Sequence, residues 1–470
     1  MIFRQLLDRD LGCACYLLGD GGSGVVVDPG LDVERIVAAA EQEGLEIELI
    51  AETHVHADHV SGRAELAQRT GARVLLPAGG DYDDGAGEPL RDGQTLDVGN
   101  LRLTALAAPG HRPEHTVLVV ADRSRSDAPW LLLSGDSLLV GDLARPDLAV
   151  DPGEGAAALH ATLARLGELP DGVELWPGHV GGSLCGGPGL SRKPSSTLGY
   201  ERAVNPLLAA DPEELTARLI ASLPDRPPTV EAVVASNRRA VPSAPAEESR
   251  VAPASFAGDR RVAAAFAPLA RLSPAALADA YADGVTLIDA RDSAAFDAAH
   301  VPGSLSLALR GNGLGTRAAW VLDPADELAV LADDEASALE LARRLRAVGL
   351  ARVRGIAGGD VEQFGLPLET VAPIAVAELP DLVDELTVVD VRDVPEWRDG
   401  HLRDALHLPL PRMRAEAATL PSGPLAVLCA KGPRAAFTAS WLRAQGHDAR
   451  RVADGGIPDL PGVGLALTTA

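Results

Sequence analysis

Cysteine is scarce in this chain: Cys13, Cys15, Cys185 and Cys429 are the only four in 470 residues. So few cannot staple a disulfide scaffold, and they point to a reducing compartment, so a cytoplasmic protein is expected. Long apolar runs are missing too, none approaching the roughly 18 residues of a membrane-spanning helix. Asp8, Arg9 and Asp10 interrupt the N-terminus before a signal-peptide core can develop, so neither export nor membrane insertion is expected. Positive charge is the third shortage. Lys193 and Lys431 are the only lysines, and 42 Lys+Arg face 67 Asp+Glu, a formal net charge of −25. That field repels phosphate backbones and anionic lipid surfaces, so nucleic acid and membranes are not expected as partners.

What is present is the makeup of an ordinary globular protein, 46% hydrophobic and 23% charged. The length is about three times the usual ~150 residues per domain, which implies two to four domains. The first ~200 residues alternate strand-length apolar runs, such as Val25-Val26-Val27 and Ile47 to Thr53, with helix-length stretches such as Val33 to Glu43. That alternation predicts α/β layers. From Leu223 to about Ser255 the chain is rich in Pro, Ala and Ser, which disfavours regular elements and predicts a boundary. The expected domains are 1–245, a linker 246–262, then 263–372 and 373–470.

The last two follow from an internal repeat. Thr286 to Asp292, with His300 beyond it, recurs as Thr387 to Asp393 with His401, an offset of 101 residues. Leu328 to Ala332 matches Leu425 to Cys429, and a glycine, Gly349 or Gly446, follows 17 residues later in each. Two copies of one α/β domain are predicted. They differ where it matters: the first has Ala332 and then Asp333-Asp334-Glu335 where the second has Cys429.

After the run Ile47 to Ala51 the sequence reads Thr53-His54-Val55-His56-Ala57-Asp58-His59. Three imidazoles and a carboxylate crowded at a strand end are ligand types that zinc, iron and manganese favour. Matching groups recur at later glycine-flanked strand ends: His111 in Pro109-Gly110-His111, Asp136 after Gly135, and His179 in Pro177-Gly178-His179. Loops at one edge of a layered fold would bring them together.

At these residues the first half, roughly 1–245, resembles the metallo-β-lactamase superfamily, which implies an αββα sandwich with metal at one edge. Likeness to dinuclear members such as glyoxalase II implies one metal on His54, His56, His111 and Asp136, and another on Asp58, His59, Asp136 and His179. A narrower resemblance is to the persulfide dioxygenases of this superfamily. It implies a single Fe(II) on His54, His111 and Asp136, with His56, Asp58, His59 and His179 orienting ligands and holding waters. Gly141 to Asp147 resembles a segment of that branch, with Ala144 where its pattern has Gly. Two readings of Arg145 follow, a structural pair with Asp147 or a hold on an anionic end of the substrate. Gly182 to Gly186 resembles rhodanese-fused members, and Cys185 there either touches substrate sulfur or is a small buried cysteine. Cys13 and Cys15 alternate along an early strand, so one is expected to face the core and neither to be needed for chemistry.

Cys429-Ala430-Lys431-Gly432-Pro433-Arg434 follows a short apolar strand and precedes a helix expected over Ala435 to Ala444. A loop at a helix N-terminus forms an anion nest that suits a persulfide, and Lys431 and Arg434 add positive charge. This C-x-x-G-x-R pattern resembles the rhodanese active loop. It implies Cys429 as persulfide carrier and Arg434 as ligand for sulfite or thiosulfate, with Gly432 shaping the turn. Asp390, Arg392 and His401 then match scaffold motifs, and the copy with Ala332 is a rhodanese fold lacking its nucleophile.

The whole is identified as an α/β chain in which a metallo-β-lactamase sandwich precedes two rhodanese-like domains. The resemblance implies a persulfide dioxygenase–sulfurtransferase with one Fe(II) per chain. A low-molecular-weight thiol persulfide, O2 and sulfite would be its small-molecule partners. The alternative is a thioester hydrolase of glyoxalase II type with two zinc ions. Large fusions of this superfamily often associate through the first domain, which leaves a homo-oligomer open.

Overall fold

The computed structural model describes residues 1–181, 183–239 and 269–469. Gly182, the expected linker 246–262 and its two limits lie outside the described residues.

Strand periodicity builds the first unit. In Ala14–Asp20, Ala14, Tyr16 and Leu18 face one way, and Cys15 and Leu17 the other. The first set meets Leu101, Leu103, Leu118 and Leu131 of a second sheet, while the second packs beside Val33, Ile36 and Leu66 of two helices, Val33–Gln42 and Arg63–Thr70. The second sheet repeats the scheme: Val117, Val119, Leu132 and Leu175 pack under helices Pro152–Leu166 and Pro212–Ala221. Both faces of both sheets are thus buried, giving four layers, αββα.

The first sheet runs Ile2–Leu7, Ala14–Asp20, Ser23–Val27, Glu46–Ala51, Arg73–Pro77, Glu88–Leu90, antiparallel at first and parallel from Ser23–Val27 onward. The second runs Ser196–Thr197, Glu174–Pro177, Leu131–Gly135, Thr116–Asp122, Leu101–Ala107, Thr95–Val98, with only the pair Leu131–Gly135 and Glu174–Pro177 parallel. Asp151 caps the helix that starts at Pro152, accepting from the Gly153 N–H.

One expectation fails. The stretch Leu223 to Ser255 is not uniformly irregular, because helix Val230–Asn237 forms within it. No proline stands between Pro228 and Pro242, and Val233 anchors this segment by complete burial.

The second unit holds 269–469 together with 226–229. It contains two parallel sheets, ordered Leu305–Ser306, Thr286–Asp289, Leu328–Ala332, Val353–Gly358 and Ile374–Ala375, Ala449–Ala453, Leu425–Leu428, Thr387–Asp390, Leu406–His407. The repeat read from sequence is visible in register, Thr286 opposite Leu328 in one lobe and Thr387 opposite Leu425 in the other. Arg291 and Arg392 each fork onto the aspartate two residues earlier, Asp289 and Asp390, at 2.6–3.1 Å. His300 and His401 donate to Phe296 O and Trp397 O and stack on those rings. These residues are scaffold, as their motif implied.

Helix Pro433–Ala444 is buried on almost every side, from Ala435 through Ser440 and at Leu442. It packs against strand Leu305–Ser306, and Ser440 Oγ accepts the Ser306 N–H at 2.9 Å. Arg451 pairs with Asp297 of the first lobe at 2.6 Å. Among the described residues no helix is long and apolar enough to cross a membrane.

Candidate functional site

The metal-type residues follow the C-terminal ends of four strands. His54 to His59 come after Glu46–Ala51, His111 after Leu101–Ala107, Asp136 after Leu131–Gly135 and His179 after Glu174–Pro177. Two sheets facing each other bring these loops to one edge of the sandwich. His111 Nε2 lies 3.5 Å and His54 Nε2 4.0 Å from Asp136 Oδ2. All three atoms are buried and lack a hydrogen-bond partner. A buried polar atom left unpaired costs about 1–3 kcal/mol, so three converging on one point fit a bound cation.

The other end of each group is fixed. His111 Nδ1 donates to Arg145 O at 2.8 Å, His54 Nδ1 faces Thr53 Oγ1 at 2.9 Å, and Asp136 Oδ1 accepts from His179 Nδ1 at 2.7 Å. Burial pushes the His54 imidazole well below its ordinary range, helped by neighbouring His56. Burial also lowers His111, outweighing the pull of Asp136. Both are therefore neutral, the form that ligates metal. Burial would raise the Asp136 carboxyl, but His179 and His111 outweigh it and keep the group ionised.

Further residues hold this frame, and of these sequence reading missed His115, Asp28, Glu52 and Asn237. His115 Nε2 accepts the Asp136 N–H at 2.9 Å, and burial followed by the nearby His111 pushes its imidazole down to about 3. Gly135 has φ +47, and a Cβ there would stand 2.6 Å from His115 Nε2, so only glycine allows this approach. Asp28 accepts both the N–H and the hydroxyl of Thr53, at 2.7 and 2.8 Å. His56 Nε2 lies 3.2 Å from Asp28 and 3.0 Å from Glu52, leaving its buried Nδ1 without a partner. Asn237 donates to His56 O and His59 O, at 3.0 and 2.7 Å, and accepts the Ser61 N–H. Asp28 and Glu52 did leave a signal, a carboxylate ending an apolar run, and His115 stands four residues past His111. Nothing local marks Asn237, because its partners lie about 180 residues away.

Asp58, His59 and His179 gather in a neighbouring cluster whose fourth member is Cys13. The expected alternation does not place Cys13, whose Sγ lies 3.1 Å from Asp58 Oδ2, 3.2 Å from His179 Nε2 and 3.5 Å from His59 Nδ1. It precedes the regular strand, after Gly12 at φ +75, and bridges to His179 by backbone pairing. Strand alternation therefore does not govern its side chain. Cys15 packs in the outer core as expected.

Arg145 is buried, forking onto Asp147 at 2.7 and 2.9 Å and donating to Pro224 O and Asp225 O. Of its two readings the geometry matches the structural pair. Its service to the site is through its carbonyl, which orients His111. Cys185 is buried within 4.8 Å of Asp136 and His179 donor atoms, and burial raises its thiol well above the ordinary range.

In the second unit Cys429 ends strand Leu425–Leu428, and its Sγ accepts the Gly432 N–H at 3.0 Å. Gly432, at φ +99, turns the chain into helix Pro433–Ala444, so the sulfur sits by the positive end of that helix. Lys431 is exposed. Arg434 does not stand free for an anion: it forks onto Glu396 at 2.6 and 2.8 Å and reaches Asp393 at 3.2 Å. Two carboxylates at the loop mouth thus hold its guanidinium. In the first lobe Ala332 is buried, and Asp334 caps helix Glu335–Ala347 by accepting the Ser337 N–H. One N–H of that helix N-terminus is thus met by the chain's own carboxylate.

Residues 8–179 match the model of the metallo-beta-lactamase superfamily, and residues 273–362 and 375–460 each match that of the rhodanese-like domain. A hydroxyacylglutathione hydrolase of Anaeromyxobacter dehalogenans is 32% identical over 231 residues, 44% of this chain and 86% of that protein. The mitochondrial persulfide dioxygenase ETHE1 of Bos taurus is 27% identical over 251 residues, 51% of this chain and 88% of that protein. A solved metallo-beta-lactamase from Staphylococcus aureus subsp. aureus COL aligns with TM-score 0.61 at 26% identity, covering 77% of this chain and 99% of that one. With its αββα sandwich, metal-type donors at one edge and two rhodanese-like lobes, the chain belongs to the metallo-β-lactamase superfamily as a fusion with tandem rhodanese domains.

Proposed function

We propose that the chain is a persulfide dioxygenase–sulfurtransferase. One observation carries the reading: two neutral imidazoles and one carboxylate converge through otherwise partnerless atoms, on the same chain as a cysteine at a helix N-terminus. Such a set leaves positions open for O2 and a substrate sulfur, as a redox metal requires. Fe(II) held by His54, His111 and Asp136 would supply activation of O2 beside the terminal sulfur of a small thiol persulfide. Persulfide, O2 and water would give sulfite, the free thiol and protons.

The chain's own residues do the remainder. Asp136 holds its charge against burial through His179, and the Arg145 carbonyl and Thr53 fix the tautomers of His111 and His54. At the second site Cys429 would take sulfane sulfur from a second persulfide molecule, releasing thiol. Attack of sulfite on the outer sulfur of that Cys429 persulfide then breaks the S–S bond and yields thiosulfate and the Cys429 thiolate. The Gly432 N–H and the helix N-terminus stabilise the anionic sulfur. Because Glu396 and Asp393 hold Arg434, its part is to brace the loop rather than to meet sulfite alone.

A second reading, a dinuclear zinc thioester hydrolase, has one specific observation in its favour: the buried, partnerless Nδ1 of His56 beside His54. Metal analysis of purified protein separates the two. Iron near one per chain supports the dioxygenase, and zinc near two without iron supports the hydrolase.

A further inference from the structure

We propose that Glu396, with Asp393 beside it, sets which anions the Cys429 loop takes in. By occupying Arg434 it turns away dianions such as thiosulfate and admits persulfides, which carry a single charge at sulfur. The inference deepens the reading of Cys429 as a sulfur carrier and rests on it for the identity of the donor.

The first observation is the state of Arg434. Its two terminal nitrogens meet Glu396 Oε2 and Oε1 at 2.6 and 2.8 Å, and one of them also reaches Asp393 Oδ2 at 3.2 Å. A guanidinium forked onto a carboxylate uses the same edge with which arginine grips an oxyanion, so the two acceptors compete for it. The charged side chains of the loop and of the helix start that faces it, Lys431 and Arg434 against Asp393 and Glu396, cancel formally. What stays positive beside the sulfur is the Gly432 N–H, 3.0 Å from Cys429 Sγ, and the start of helix Pro433–Ala444. Those dipoles suit one negative charge on sulfur, whereas a dianion calls for the arginine as well.

The second observation comes from the twin lobe, where the same pieces are missing together. Ala332 stands in place of Cys429, Ser337 in place of Arg434 and Ala295 in place of Glu396. Helix Ser293–Ala298 forms there all the same, capped by Asp292, which accepts the Ala294 N–H at 3.0 Å. A glutamate is therefore not needed to start the corresponding helix Val394–Asp399, and the use of Glu396 lies with the sulfur loop.

The chemistry held back is exchange with thiosulfate. In that step the Cys429 thiolate attacks the outer sulfur of thiosulfate, the S–S bond breaks, and sulfite leaves with the bonding electron pair. It is the reverse of the step that ends the forward reaction, and it consumes no oxidant or reductant. A weak hold on thiosulfate raises its KM as donor and speeds its release as product. Glu396 touches Arg434 rather than the reacting sulfur, so it is a positioning residue.

The test uses full-length protein and Glu396→Gln, which removes the charge and keeps the length of the side chain. Sulfur transfer to cyanide is followed with thiosulfate and with a small-molecule persulfide as donors, after subtraction of the uncatalysed rate. KM for thiosulfate should fall at least ~10-fold, and the thiosulfate-to-persulfide ratio of kcat/KM should rise by a similar factor. Combining Glu396→Gln with Arg434→Gln should erase the gain. Asp393→Asn should move the ratio the same way by about twofold. Alkylation of Cys429 needs no turnover: its rate with anionic iodoacetate relative to neutral iodoacetamide should rise at least ~3-fold in Glu396→Gln. An unchanged thiosulfate KM, an effect on kcat alone, a gain that persists without Arg434, or an unchanged alkylation ratio would each overturn the proposal. If no donor loads Cys429 the carrier reading fails, and the alkylation ratio alone decides whether Glu396 turns anions away.

Discussion

His179 donates through Nδ1 to Asp136 Oδ1 at 2.7 Å, and this bond leaves the other Asp136 oxygen turned toward His54 and His111 with no partner of its own. Asp136 is consequently the anionic corner of the triad. Asp136→Ala removes that corner and should lower bound iron to less than roughly a tenth of the unaltered protein, with loss of persulfide-dependent oxygen uptake. Iron quantification alongside an oxygen electrode checks this, and uptake retained in the variant would rule out the ligand assignment.

The rhodanese-like site should be separable from the first. Cys429→Ser keeps the turn at Gly432 but removes the sulfur that receives its N–H. Oxygen uptake should stay within about twofold of the unaltered protein, while thiosulfate formed from persulfide and added sulfite should fall to the uncatalysed rate. Thiosulfate formation persisting above that background would exclude the loop as carrier.

Asn237 ties the histidine-rich loop from a helix distant in sequence, through His56 O, His59 O and Ser61 N. Asn237→Ala leaves those buried groups unpaired, a loss of about 1–3 kcal/mol in stability. Iron affinity should drop roughly 10- to 100-fold, as when other groups that orient metal ligands are removed. Thermal unfolding and competition with a chelator would measure the two effects, and an unchanged iron affinity would remove Asn237 from the support of the site.

Much of this arrangement was legible in the sequence. The run His54 to His59, the glycine-flanked His111, Asp136 and His179, and the loop from Cys429 to Arg434 carry short motifs at strand ends, where geometry leaves few options. The 101-residue repeat gave away the twin lobes because both copies keep the Asp–Arg fork and the stacked histidine. Alternation did not place Cys13 because it applies only within a regular strand, and Cys13 lies just before one. Helix Val230–Asn237 was hidden by prolines that flank it rather than enter it. The pairing of Arg434 with Glu396 depends on the first turns of two helices, 38 residues apart in sequence, meeting in space, which no local pattern encodes.

The lobe that lacks a cysteine braces the one that has it. Asp297 pairs with Arg451 at 2.6 Å, both side chains largely buried, and Ser440 on the helix behind Cys429 binds the Ser306 backbone. Asp297→Ala should destabilise the second unit by about 3 kcal/mol, because it strands a buried guanidinium. Urea unfolding followed by circular dichroism would detect this, whereas iron content should not change. A variant as stable as the parent would show that this ion pair adds nothing to the lobe contact.

The central claim is that the His54, His111 and Asp136 triad supports oxidation of a persulfide. Its most direct test is oxygen uptake by the iron-loaded full-length protein on addition of a small-molecule persulfide, with the corresponding thiol as control. Uptake that depends on the persulfide and is absent with the thiol is the predicted result. No uptake with several carrier thiols, from protein shown to hold iron, would contradict the account and favour the zinc hydrolase.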